Sequence, residues 1–302
     1  MRTQPIGIIA FVLSSAVLAL GQVAPPTGIQ RNGAVSLLRS ESKIAVIPGT
    51  PPIDSTTDNA SGGFVSSDYT NYTPPATPPL TTIGPCIVYT VSLPLPPQAP
   101  TGVVTTFLDG GPVINLNGPN GTKQLPQIQS GVYFLQVGGG IAIPTPFPIP
   151  GLPGVLPPYL DPGTYTVDNG GGGADVGPFT ATLNVPSPGF VWTNADANPT
   201  ITLSAGVDLQ WSGGDPATPV NIQGVVSTPT QAGAFTCSVP NTGEFLVTSD
   251  VLSVLPATPP GAPAATSSLT VSNSSFANFS ASGLDLGILT YESGSTRLVV
   301  YQ

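Results

Sequence analysis

The chain has 302 residues, six Lys and Arg against fifteen Asp and Glu, and no histidine. The missing imidazole removes Ser-His-Asp catalysis and the commonest metal ligand together. With so few basic residues there is no footprint for nucleic acid or for an anionic membrane, both of which need clustered Lys and Arg.

The N-terminus reads as a secretory signal. Arg2 supplies the positive start, an apolar run follows from Ile6 to Leu20, and Ala19-Leu20-Gly21 puts small residues before a cleavage point at Gln22. The run is short for a bilayer span, so residues 1–21 are expected to be removed rather than kept as an anchor. The mature chain then carries five basic residues and all fifteen acids, a net charge of 5 − 15 = −10. Arg31, Arg39 and Lys43 lie near its start, leaving only Lys123 and Arg297 further on. With charged residues at 7%, Ser, Thr, Asn and Gln must provide most of the polar surface.

Residues 22–79 read as a low-complexity, largely disordered linker. Pro51-Pro52, the Ser/Thr/Asn/Asp-rich stretch to Tyr72, and the paired prolines at 74–75 and 78–79 interrupt it, and only Lys43 to Ile47 resembles a strand. From residue 80 the pattern turns to short β-branched and aromatic runs between Gly, Pro, Asn and Asp turns. Candidate strands are 87–93, 103–108, 113–116, 131–137 and 163–167, with eight prolines over 141–162 marking a surface excursion. Phe179 to Val185 alternates apolar and polar without a fault, as a strand does with one face buried. Pro186-Ser187-Pro188-Gly189 is the candidate boundary. Beyond it, runs at 190–192, 200–203, 207–211, 220–226, 234–239, 244–248, 251–255, 268–271, 275–281 and 297–301 continue the style. No window in the mature chain has a long 3.6-residue apolar period. The expected fold is therefore all-β: two tandem antiparallel β-sandwich domains, 80–186 and an Ig-like 187–302, after a Pro/Ser/Thr-rich N-terminal segment.

Candidate sites are few. Cys86 and Cys237 either pair in an oxidising compartment, tying the two expected domains together, or each fills a small apolar place in its own sandwich. Asp168-Asn169-Gly170-Gly171-Gly172-Gly173-Ala174-Asp175 matches the G-G-x-G-x-D calcium pattern once, making Asp168 and Asp175 calcium candidates, against a flexible hairpin loop as the plainer reading. No other cofactor is implied. Paired carboxylates for glycan hydrolysis would have to come from Asp161, Asp168, Asp175, Asp208 or Asp215, nearly all in turn-like settings that Asp favours for backbone reasons. Trp192 and Tyr159 are candidate stacking rings for a sugar ligand, whereas Trp211 shares a strand face with Val207 and Leu209 and is expected in the core. Tyr69 and Tyr72 sit in an expected loop and are further candidates for exposed contact.

Leu160 to Val167, Asp175 to Phe179, Phe190-Val191-Trp192-Thr193-Asn194 and Leu209 to Pro216 together resemble exported bacterial proteins with tandem Ig-like β-sandwiches. That resemblance spans roughly residues 86–302 and implies export and fold, with no activity to transfer. The expectation is a non-catalytic secreted protein with a structural, adhesive or binding role. Its partner would be an extracellular polysaccharide or surface protein, with no nucleic acid and no membrane after cleavage. A carbohydrate-binding module or a carboxylate-dependent glycan-active enzyme are the alternatives.

Overall fold

The computed structural model describes residues 27–44, 53–74, 80–95, 102–141, 155–261 and 266–302. The expected signal peptide, part of the expected linker and most of the proline-rich 141–162 excursion lie outside them. The described chain is nearly all strand, with one four-residue helix, α1 (Ser249–Leu252). That helix replaces the strand expected over 251–255; Val251 and Leu252 turn inward from it into the core.

Four long strands organise the molecule. These are β1 (Ile29–Ile44), β2 (Ile53–Asp68), β17 (Ser267–Phe279) and β18 (Leu286–Leu298). They lie at the centre of a 14-stranded sheet ordered β10-β9-β6-β7-β8-β2-β1-β18-β17-β14-β15-β4-β3, with β5 on the free part of the β2 edge. Here β3 is Thr81–Ile83, β4 Cys86–Ser92, β5 Val104–Phe107, β6 Val113–Gly118 and β7 Gly121–Gln129. β8 is Val132–Ile141, β9 Gly163–Asp168, β10 Thr180–Val185, β14 Val220–Ser227 and β15 Gln231–Val239. β1 runs parallel to β18; every other pairing along this path is antiparallel.

This arrangement corrects the linker expected over residues 22–79. Two sixteen-residue strands, paired residue for residue from Ile29↔Asp68 to Ile44↔Ile53, occupy much of it. Their inward positions hold Val35, Leu37, Ala60 and Phe64, all fully buried, interleaved with Ser and Asn. Small residues there are a packing requirement: a Cβ at Gly62 would stand 2.5 Å from Ile114 Cδ1.

The segments 80–186 and 187–302 also fail to separate in space. β4, from the first, pairs with β15 of the second, while β18 near the C-terminus pairs with β1 near the N-terminus. One inner face of the sheet supports two hydrophobic cores. In the first, Val35, Leu37, Phe64, Leu289 and Tyr291 meet the curled-back strands β6, β7, β9 and β10. In the second, Val88, Phe235, Val220, Leu269 and Val271 meet α1 and a small sheet. That sheet is ordered β11-β13-β16, from β11 (Val191–Trp192), β13 (Val207–Ser212) and β16 (Glu244–Val247). β12 (Thr200–Ile201) and β19 (Val300–Tyr301) form a separate, short parallel pair.

Between the cores the inner face of β17 is polar. Asn273 is 2% exposed; its Oδ1 accepts the Asp215 N–H at 2.7 Å and its Nδ2 donates to Thr218 Oγ1 at 3.1 Å. Ser275 Oγ donates to Asp215 Oδ2 at 3.0 Å.

Candidate functional surface

The anticipated calcium loop is a clasp between two turns. Asp168 Oδ1 accepts Asn115 Nδ2 at 2.8 Å and the Gly170 N–H at 2.9 Å. Asp175 Oδ2 accepts the Asp109 N–H at 2.8 Å, and the Asp109 carbonyl accepts the N–H groups of Asp175 and Val176. Asp109 returns the bond through its own side chain, to the Gly111 and Ala174 N–H groups, which hold its carboxyl below the usual carboxylate range. Glycine is needed where the turns touch, since a Cβ at Gly173 would fall 2.2 Å from Gly111 N. Asp168 and Asp175 thus serve separate backbone partners. Among the described residues no group of three or more His, Cys, Asp or Glu side chains gathers to hold a metal ion.

The five aspartates named for hydrolysis are dispersed in the same way. Asp208 accepts Gln210 Nε2, Asp215 accepts the Ala217 N–H and Ser275 Oγ, and Asp161 accepts Asn120 Nδ2 and Arg39 Nη2. No two of the five share a hydrogen-bond partner.

The rings chosen for stacking are inside the protein, which corrects that expectation. Tyr159 is 2% exposed and Trp192 4%. Trp192 lies opposite Trp211 across β11 and β13, and each indole N–H finds a side-chain amide: Asn194 Oδ1 at 2.9 Å and Asn241 Oδ1 at 2.7 Å. Val155 to Pro158 are exposed, as expected of the excursion, but Tyr159 and Leu160 after them turn into the core. The Tyr159 hydroxyl donates to the Gly121 carbonyl at 2.7 Å, and burial pushes its pKa up to about 12. Tyr69 and Tyr72 pack edge-on against each other, ring centroids 5.8 Å apart.

What holds Tyr159 is a group that sequence reading passed over. Asp58, fully buried on β2, receives Arg39 in a bidentate pair, Nε to Oδ1 and Nη2 to Oδ2 both at 2.8 Å. It also accepts the N–H groups of Tyr159 at 2.7 Å and Leu160 at 2.9 Å. Burial opposes its charge, but these four donors prevail and keep the carboxyl below its ordinary range. The signal was present in the period of two: positions 58, 60, 62 and 64 are Asp, Ala, Gly and Phe, an inward row disguised by small residues.

Cys86 and Cys237 face each other on β4 and β15 and form a disulfide across 151 residues of chain.

The outer face of the central strands has a different character. In β1 every charged residue, Arg31, Arg39, Glu41 and Lys43, falls on the inward parity, while Ser36, Leu38, Ser40 and Ser42 point outward. The same parity on β8, β2, β18 and β17 presents Ser, Thr, Asn, Gln, Gly and apolar side chains, with Glu292 as the one charged residue at the paired positions. Burial raises the Glu292 pKa, partly countered by a hydrogen bond from Ser272. Phe107, Phe134 and Phe276 stand exposed on this face.

No family model matches the chain, and no curated protein matches it. Solved structures with some likeness include the yeast delta-COP-I mu-homology domain, at 7% identity over 93% of this chain and 100% of that one, TM-score 0.23. A chimeric titin Z1Z2-Z1Z2 tandem carrying a GRGDS peptide from fibronectin matches at 12% identity over 76% of this chain and 100% of that one, TM-score 0.15. At these scores the likeness says nothing about the fold or the activity of this chain.

Proposed function

We propose that the chain is an exported, non-catalytic protein of Ig-like β-sandwich style with a structural, adhesive or binding role outside the cytoplasm. The observation that carries this reading is the distribution of its polar chemistry. Its named carboxylates hold turns and strands together one by one, while a broad sheet face is left nearly free of charge. Reacting centres need acids that converge, and binding faces need accessible area. The Cys86–Cys237 disulfide supports an oxidising compartment, as does the apolar N-terminus.

The test is to express the full chain in a bacterial host, fractionate the cells, and assay the product. The expected result is a processed chain outside the cytoplasm, its two cysteines oxidised, retained on envelope or matrix material and without turnover on glycan, ester or peptide substrates. A reduced cytoplasmic product overturns export. Turnover that disappears when one of the five aspartates becomes Asn overturns the non-catalytic role.

A further inference from the structure

We propose that the outer face of the central sheet binds a neutral polysaccharide, with Phe107, Phe134 and Phe276 as its stacking platforms. This rests on the binding role proposed above and assigns it a site and a ligand class. Sixteen large hydrophobic side chains are left exposed among the described residues, and only three are aromatic: Phe107 at 40%, Phe134 at 41% and Phe276 at 66%. All three fall on one face. Phe64, Tyr133 and Leu108 point into the core, so their strand neighbours Val65, Phe134 and Phe107 point out. Ser275 is buried on the inner side, which turns Phe276 outward as well.

The registers fix how the rings are spaced. Phe276, Thr290, Ser36, Ser61 and Phe134 form one row across five strands, so the two end rings stand roughly 19 Å apart at ~4.8 Å per strand. Phe107 pairs with Val65, four residues along β2 from Ser61, which places it roughly 14 Å from Phe134 at ~3.4 Å per residue.

That spacing discriminates between occupants. A protein partner is gripped by anchors clustered near the centre of a patch. Separate rings with hydroxyls between them suit an extended polymer that offers an apolar sugar face and flanking hydroxyls again and again. Each contact is weak, and several on one chain add through effective concentration. Charge narrows the class further. No Lys or Arg lies among these outward positions, one carboxylate does, and the mature chain carries an excess of ten acids, so an anionic polymer is repelled and finds no partner.

Depletion binding of the full mature chain to insoluble cellulose, chitin and β-1,3-glucan tests the assignment, with alginate as the anionic control. Retention by at least one neutral glycan is expected, unchanged as salt is raised. The double variant F134A/F276A weakens it ten-fold or more, F134Y/F276Y keeps it, and both variants retain the parent circular dichroism and melting temperature. The assignment is overturned if none of the three neutral glycans retains the protein, if the alanine variant binds as well as the parent, or if alginate alone is bound. Concentration-dependent dimers lost in F134A/F276A, without glycan retention, also overturn it while leaving a binding role intact. Glycan turnover would instead overturn the non-catalytic reading itself.

Discussion

The two cores share one sheet but are locked by different chemistry. At the end built around β1, β2 and β6 to β10, the lock is polar and non-covalent: Arg39 and Asp58 bridge adjacent strands and fasten the incoming Tyr159–Leu160 backbone beneath them. At the other end it is covalent and aromatic: the Cys86–Cys237 bond staples β4 to β15, and two tryptophans capped by Asn194 and Asn241 fill the opposite layer. β17 runs through both, contributing Leu269 and Val271 to one core and Phe279 to the other, where its partner β18 adds Leu289 and Tyr291. The contrast teaches how a chain so poor in charge uses the little it has. Four of the five basic side chains among the described residues stand against a carboxylate or a ring, and Lys43 and Arg297 both meet Asp196, joining the end of β1 to a loop of the second core.

The harshest way to break the comparison is to remove Asp58. Asp58→Ala would leave a largely buried guanidinium and two backbone N–H groups unpaired, a loss of about 3–5 kcal/mol. Because β17 crosses both cores within one continuous sheet, the tryptophan fluorescence of the far end should melt at the same lowered temperature as the tyrosine signal of the near end. Two separated transitions would show that the ends fold independently. Acid should mimic the change in the parent protein. The folded carboxyl lies below its unfolded value of about 3.9, so its stabilisation is complete above that pH and is lost as pH falls through the lower, folded value.

The staple at the other end is expected to matter less. Replacing both cysteines by Ala removes a cross-link over 151 residues, and cross-links of this kind contribute about 2–4 kcal/mol, largely through the unfolded chain. The seven-residue β4–β15 register remains without it, so the near-ultraviolet signal of the two tryptophans should persist in the cold while the denaturant midpoint falls. Loss of that signal under native conditions would mean the bond holds native packing and not merely the unfolded ensemble.

Much of this difference was visible in advance, and the rest was hidden for physical reasons. Most of the strands after residue 80 were legible because β-branched residues alternate in them; β10 and β13 follow their patterns position by position. β7 was missed because Pro126 interrupts it, although it pairs with β6 and, through a register shift, with β8. β1, β2 and β18 as far as Thr296 were missed; in β1, β2 and Ser293 to Ser295, Ser, Gly and Ala fill alternate places, and small residues in a tightly packed sheet carry little hydropathy signal. Order in space was the least legible. Nothing local in Ser36 to Ser42 announces a parallel partner at Thr290 to Thr296, more than two hundred residues away. The candidate sites fared similarly: Asp168 and Asp175 were recognisable as turn residues, whereas Asp58 in a Ser/Thr run and the three outward phenylalanines needed the register to be seen.

The smallest expected effect concerns the face the two ends have in common. Glu292 sits opposite Leu38 and Ser274, with Ser272 bonded to its carboxylate and no basic side chain among the outward positions of β1, β17 and β18. Burial raises its folded pKa above the unfolded value of about 4.3, so the ionised form costs stability at neutral pH. That cost shrinks as pH falls through the folded value and is gone below the unfolded one. Glu292→Gln keeps the shape and a hydrogen-bonding amide while removing the charge. It should stabilise the protein by about 0.5 kcal/mol at pH 7, and the gain should vanish near pH 4. A variant less stable than the parent at pH 7 would mean that the carboxylate is favourably held, and that this face is less free of charge interactions than its composition implies.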